Sequence, residues 1–412
     1  MNAIFTVVRP FSGSGRQALC WPFPHPCRRL SPLPTEHKQH PLTPTMKRLL
    51  ALLAVLLAAS HAALHADDLA FPDGIRHVRV ERSDSDRYRF LHDPAIEVHK
   101  GELFAAWYNC PEHEIVGESL IRGRRSTDGG TTWGGLEVIA SDTSGDGTYY
   151  VPAQLLSHGG VLHAFVGTMR GGHDLIKSCA VYVLDEAANR WQPRGEIADL
   201  FLPNCRPVRM EDGNWIMAGR AASRFGVKPF IPAVAISKGD DLTGRWTVVP
   251  LQAEMTPEKC PETTVWVEGR SVVALTRNDT SAVPFVYASQ DHGRTWTAVE
   301  QHPLRASAVK LYAGHLSTGD RYLVSNLPAD GDKGFRSRET LVIQVSRPGE
   351  LAAAKTWRVQ ARTAADSPPA FHYPCAVEHD GNLHVIYTVG LASPRQCELA
   401  IIPIASLHPT NR

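Results

Sequence analysis

The chain has 412 residues, 43% hydrophobic and 21% charged, with 43 lysines and arginines against 42 aspartates and glutamates and a formal net charge of +1. This near-balance removes the electrostatic basis for a nucleic-acid partner or for adhesion to an acidic membrane surface, so an anion would have to be recognised locally. The length suits two ordinary domains or one closed ring of repeats.

In chain order, residues 1–45 are rich in Pro, Arg and His without periodicity and read as a disordered or mis-annotated upstream extension. From Met46, two basic residues lead an apolar run that ends in alanines by Ala66. This is the pattern of a cleavable signal peptide over 46–66, shorter than the roughly 20 apolar residues of a membrane span. A secreted or periplasmic monomer is therefore expected, free of the membrane after cleavage, with its working part in residues 67–412.

Past that point, six glycine turns each open a strand of alternating apolar residues: Gly101 in GELFAAW, Gly160 in GGVLHAF, Gly213 in DGNWIMAG, Gly269 in EGRSVVAL, Gly319 in GDRYLVS and Gly381 in DGNLHVIY. Consecutive turns lie 50 to 62 residues apart, room for one four-stranded sheet each. The spacing predicts an all-β fold, a six-bladed β-propeller of four-stranded antiparallel blades. Trp133, Trp191, Trp246, Trp296 and Trp357 recur in phase with the glycines. Two of them close copies of S-x-D-x-G-x-T-W, namely STDGGTTW at 126–133 and SQDHGRTW at 289–296; SKGDDLTGRW, ending at Trp246, is a decayed third. In such a hairpin the Ser and Asp side chains bond backbone groups, Gly takes a positive φ and Trp packs beneath.

Six of the eight cysteines fall beyond the signal segment: Cys110, Cys179, Cys205, Cys260, Cys375 and Cys397. An even number in an exported protein favours disulfides, with the pairing left open, and Cys205, Cys260 and Cys375 are expected near the ring axis. No C-x-x-C pair is present and the histidines do not fall at ligand spacings, so no metal site is expected.

In a propeller, the loops leading into each inner strand and those leaving the second strand meet in one funnel. Ahead of the marker glycines stand His92 and Asp93, Tyr149 and Tyr150, Asn204 to Arg206, Glu262, Tyr312 and Tyr373. Beyond them stand Tyr108 and Asn109, Arg170, Arg220, Arg277 and Asn326. A merely structural axis would carry small and aliphatic residues instead.

The repeated S-x-D-x-G-x-T-W hairpin is the Asp-box of sialidase-like propellers, and over about residues 85–405 the chain resembles the exo-sialidase superfamily. The resemblance implies a tyrosine nucleophile opening the last blade's inner strand, a glutamate partner, a carboxylic acid/base near the first blade and arginines that grip a substrate carboxylate. On that resemblance Tyr373 in HYPCAVEHDGNLHVIYT holds the nucleophile's place and Glu262 in CPETTVWVEGRSVVALTRN its partner's. Arg277, with Arg338 or the neighbouring Arg336, matches the carboxylate clamp, and Arg170 and Arg220 are further substrate-binding candidates by position. The chemistry is coherent: a phenol with a pKa near 10 needs a carboxylate to take its proton. It also avoids charge repulsion with an anionic sugar, and arginine binds a carboxylate bidentately. Sialidases with a tyrosine nucleophile are a known exception to two-carboxylate glycoside hydrolysis.

Two places depart from the pattern. Where the superfamily has Arg-Ile-Pro leading into the first blade, this chain reads Phe-Leu-His92-Asp93-Pro94, and Arg89 stands three residues too early. Between Trp107 and Ser126 there is no aspartate, only Glu112, Glu114 and Glu118; Glu114 is the closest match to the acid/base, and a glutamate can perform the same proton transfer. The expected function is an exported exo-glycoside hydrolase that cleaves a terminal acidic sugar from a carbohydrate or glycoconjugate without a cofactor. A second reading makes His92 the acid or base of a propeller glycosidase or polysaccharide lyase acting on rhamnose- or uronic-acid-containing polymers. His113, His173 and His315 are secondary candidates near loop ends. A third reading is a non-catalytic glycan-binding propeller.

Overall fold

Each of the six marker glycines occupies a hairpin turn at positive φ, from 59° at Gly269 to 93° at Gly319, where a side chain would be strained. The computed structural model describes residues 68–408 apart from 84–86, 172–174, 224–225, 253–259, 330–333 and 362–369. The upstream extension, the signal segment and His173 lie outside the described residues.

Behind each turn runs an inner strand and beyond it the second strand of a blade. The inner strands are Phe90–His99 in blade I, Thr148–His158 in II, Phe201–Pro203 in III, Thr263–Glu268 in IV, Tyr312–His315 in V and Phe371–His379 in VI. Blades I, II, IV and V are antiparallel sheets of four consecutive strands. Blade III has five, because its inner strand breaks after Pro203 and resumes at Val208–Arg209, both pieces pairing with Trp215–Ala221. Blade VI contributes three strands and takes its fourth from the start of the fold: Arg76–Arg82 pairs antiparallel with Gln396–Pro403 and closes the ring. Among the described residues no helix is long and apolar enough to cross a membrane.

The inner and second strands are buried along almost their whole length, as in Glu102–Cys110 of blade I, because both their faces meet neighbouring blades. Trp107, Trp266, Tyr312, Tyr387, Phe165 and Phe201 are among the largest wholly buried side chains. Of the in-phase tryptophans, Trp191, Trp246 and Trp357 are buried, while Trp133 and Trp296 pack partly buried on the same core.

Both Asp-box hairpins have the anticipated bonding. Ser126 Oγ accepts from Gly130 N at 2.9 Å and Asp128 Oδ1 from Thr132 N at 2.8 Å; Ser289 and Asp291 repeat this with Gly293 and Thr295 at 2.9 Å each. These hairpins share the end of the blade with the glycine turns, since Ser126 sits opposite Leu103 in register. The other end is left to the loops carrying His92, Glu262 and Tyr373.

The cysteines correct an expectation. All six described cysteines are free thiols, five of them buried. They serve the interior as small apolar groups with weak polar contacts: Cys205 Sγ donates to Ala218 O at 3.8 Å and Cys110 Sγ accepts from Ile115 N at 3.2 Å. Burial disfavours the thiolate, pushing Cys110 up to about 12.

Candidate active site

Two short sequences give the funnel its shape. His372-Tyr373-Pro374 and His92-Asp93-Pro94 open the inner strands of adjacent blades VI and I, and each interrupts its strand register. The middle residue of each takes a left-handed conformation, φ 59° at Tyr373 and 50° at Asp93, a strain that the surrounding sheet must sustain. The result is that Tyr373 and Asp93 both turn into one cavity of about 280 Å³.

The Tyr373 hydroxyl meets a charged cluster from blade IV. Arg277 donates from Nη1 to Tyr373 Oη at 3.1 Å and to Glu262 Oε2 at 2.9 Å, which sets the Glu262 carboxylate beside the Tyr373 phenol. Arg277 leaves the hairpin two residues before Asp279, whose Oδ1 fixes its Nε at 2.8 Å and its Nη2 at 2.7 Å, so the guanidinium plane is set from both sides. Glu262 is buried, and burial alone would hinder its ionisation; Arg277 and then Arg220 outweigh that and hold it below the usual carboxylate range. Burial and the Glu262 charge push the Tyr373 phenol well above its ordinary value, Arg277 and Arg338 opposing. The resting pair is therefore a neutral phenol beside an ionised carboxylate, which is the state in which Glu262 can accept a proton from Tyr373.

Two guanidiniums at the cavity are under-used. Arg220 faces a carboxylate only at 3.8 Å, from Glu262, and its buried Nε has no hydrogen-bond partner among the described residues. Arg338 forms no ion pair with a carboxylate among the described residues; it donates to His372 Nδ1 at 3.1 Å and lies over the Tyr373 ring, 5.7 Å from its centroid. His372 can accept there because its Nε2 faces Gly390 O at 3.0 Å, which assigns the proton to Nε2; burial and then Arg338 keep the ring neutral, its pKa well below the ordinary histidine value.

On the blade I side, Glu114 lines the cavity and accepts from Tyr108 Oη at 2.7 Å. Asp93 lines it too and is bonded to Lys310, a wholly buried lysine of the segment leading into blade V. Burial raises the Asp93 carboxyl to about 6, with Lys310 opposing.

The cavity thus brings together Tyr373, Glu262, Glu114, Arg277, Arg338 and Arg220. His92 is not at its surface. Its ring packs beneath Tyr373 at 4.1 Å between centroids, with Nδ1 against Thr388 Oγ1 at 3.2 Å, and burial followed by neighbouring cations lowers its pKa well below the ordinary value. Arg336 is exposed beside the cavity and bonds Asp279 O at 3.3 Å, and Arg170 is exposed at the end of its strand; neither lines the cavity. His113 is exposed, and His315 pairs with Glu268 at the opposite end of the blades. Sequence reasoning placed Asp93 at the funnel without giving it a role, and passed over Lys310, Asp279 and His372. The paired His-Asp-Pro and His-Tyr-Pro sequences carried a signal for Asp93 and His372; nothing around Lys310 marks it.

Residues 101–385 match the family described as BNR repeat-like domain, well over half of the chain. The chain belongs to the BNR repeat-like family. No curated protein matches it. Among solved structures, this BNR repeat-like chain is similar to the Trypanosoma rangeli sialidase in complex with sialic acid, with a TM-score of 0.64 and 14% identity over 82% of this chain and 60% of that one. It is similar to the Hadza microbial sialidase Hz136, with a TM-score of 0.64 and 17% identity over 80% and 69% of the two chains. The leech intramolecular trans-sialidase is a further neighbour, with a TM-score of 0.61 and 12% identity over 81% and 71%. The chain spans about 60% of the Trypanosoma enzyme's length. At these identities the likeness shows the fold alone, a sialidase-like propeller.

Proposed function

We propose that this protein is an exported exo-glycoside hydrolase that removes a terminal acidic sugar, a sialic acid or a sugar with a similarly placed carboxylate. The observation that carries the reading is the buried Tyr373–Glu262–Arg277 cluster, set in a cavity where Arg220 and Arg338 keep donors unmatched by carboxylates. Tyr373 Oη attacks the anomeric carbon while its proton passes to Glu262. The glycosidic C–O bond breaks, and Glu114 protonates the departing oxygen. Water, deprotonated by Glu114, then displaces Tyr373, which recovers its proton from Glu262. The guanidiniums hold the sugar carboxylate throughout. The signal-peptide pattern over 46–66 supports action outside the cytoplasm by a mature chain beginning near Asp67.

Release of a fluorescent aglycone from α-linked acidic and neutral sugars tests the reading. Tyr373→Phe should abolish turnover, and Glu262→Gln should lower kcat by about 10²–10⁴-fold. Glu114→Gln should cost as much with poor leaving groups and far less with acidic phenols, which depart without protonation. Turnover unchanged in Tyr373→Phe would refute the mechanism. A His92-centred glycosidase or lyase is less well supported, since His92 lies behind the tyrosine ring and stays neutral.

A further inference from the structure

The charges lining the cavity are unevenly divided. On the side of blades III, IV and V, Arg220, Lys228, Arg277 and Arg338 outnumber the single carboxylate Glu262, whereas blade I contributes only the carboxylates Asp93 and Glu114, with Met169 of blade II part of an apolar stretch between. The mechanism above uses Glu114 and leaves Asp93 without a task. Yet Asp93 occupies in blade I the place that Tyr373 occupies in blade VI, with the same preceding histidine, the same following proline and the same left-handed backbone.

Lys310 accounts for half of the Asp93 carboxylate. It bonds Oδ1, while Oδ2 accepts no hydrogen bond among the described residues. A carboxylate this deeply placed gains from every donor it finds, and a lone lysine leaves acceptor capacity unfilled. Asp93 lines the cavity, so a donor bound there would fill that capacity.

We infer that Asp93 is a specificity-determining residue whose free carboxylate oxygen accepts a hydrogen bond from a ring or side-chain hydroxyl of the bound sugar. The inference rests on the hydrolase reading and narrows its substrate: the sugar carries its carboxylate toward blades III to V and a hydroxyl on the opposite side, toward blade I. A sugar lacking that hydroxyl leaves Asp93 half-satisfied in a site that water has left, which is how polar sites reject deoxygenated analogues. Arginine or a neutral residue at position 93 would not impose this orientation.

The test is kcat/KM of the full chain, wild type and Asp93→Asn, on aryl glycosides of one hydrolysed acidic sugar and each of its monodeoxy analogues. Wild type should disfavour one analogue by about 10- to 100-fold. Asp93→Asn should bring that analogue nearly level with the parent while leaving the ranking of the others unchanged. A uniform loss across all analogues would reduce Asp93 to the counter-ion of Lys310 and overturn the inference. Should Asp93→Asn fail to fold because Lys310 is left unpaired, Asp93→Asn with Lys310→Gln removes both charges and is held to the same criterion. Tyr373→Phe separates the two levels. Turnover that survives it, or wild-type protein that hydrolyses no sugar, removes the hydrolase reading and this inference together; turnover abolished by it alongside a uniform Asp93→Asn effect removes this inference alone.

Discussion

Glu262 shows how a single buried carboxylate can be kept ionised next to the phenol that the proposed mechanism has it deprotonate. Burial works against its charge, but Arg277 at 2.9 Å and Arg220 at 3.8 Å work for it and prevail. A base must be unprotonated, so kcat/KM should fall as pH drops through the Glu262 pKa, and that acid limb should lie below the usual carboxylate range. Removing Arg220 withdraws one stabilising cation and raises the pKa. The acid limb of Arg220→Met should therefore move to higher pH, measured on a neutral substrate so that carboxylate binding does not intervene; a limb that stays in place would show that Arg277 alone sets the charge. Tyr373, Glu262 and Arg277 were legible as candidates because each stands at a fixed offset from a marker glycine. Asp93 was visible at such an offset as well, but its meaning depends on Lys310, which approaches from blade V over a separation of 217 residues.

The Asp-box hairpin works as a fastener between blades. In blade I, Gly129 and Gly130 have φ values of 66° and 85°, so a side chain at either is strained. Their surroundings differ. A Cβ on Gly129 would meet nothing within 4 Å, whereas one on Gly130 would lie 2.6 Å from Leu399 Cδ2 of blade VI. Gly129→Ala should thus cost only the conformational term, roughly 1–2 kcal/mol. Gly130→Ala should cost a further 1 kcal/mol or so from overpacking the contact between blades, read as the difference in denaturant midpoints. Equal midpoints would mean that the blades yield without cost. Gly293 in blade IV is under the same constraint, its Cβ falling 2.7 Å from Ile216 Cδ1 of blade III.

Around the whole ring, the end opposite the cavity is laced by polar contacts between successive blades. Glu186 of blade II meets His99 of blade I at 2.9 Å, Asp240 of III meets His158 of II at 2.9 Å, and Arg294 of IV meets Asp212 of III at 2.7 Å. Glu268 of IV holds Arg321 of V, Glu378 of VI accepts from Ser317 N of V at 2.8 Å, and His384 of VI reaches Gly129 O of I at 3.3 Å. Glu186 is held low by Lys100 and His99, and Asp240 by His158 and Trp215; in Asp212 and Glu268 arginine contacts overcome opposing burial. Folded-state values below the unfolded ones mean stability that is complete above about pH 5 and lost as pH falls further. Melting temperature should accordingly drop between about pH 5 and 2, and less steeply at 1 M salt, where exposed pairs are already screened. A flat profile over that range would exclude the lacing as a source of stability.

Sequence by itself determined what short-range chemistry controls. The six glycine turns need positive φ at isolated positions, the Asp-box closes within eight residues, and their regular recurrence implies a ring of six sheets; each of these is written along the chain. Tertiary structure decided what depends on distant segments meeting. Arg76–Arg82 became the outer strand of blade VI because ring closure leaves Gln396–Pro403 in need of a partner, and the strand's own residues give no sign of it. The six described cysteines are free thiols, five packed in the interior as small apolar groups and Cys260 half-buried at the cavity, where export and even number had suggested pairing. Arg338 faces the cavity because it reaches His372 of blade VI, whereas Arg336 is drawn to Asp279 O of blade IV, and His92 lies behind Tyr373 where the register of its strand breaks; each depends on segments far apart in the chain.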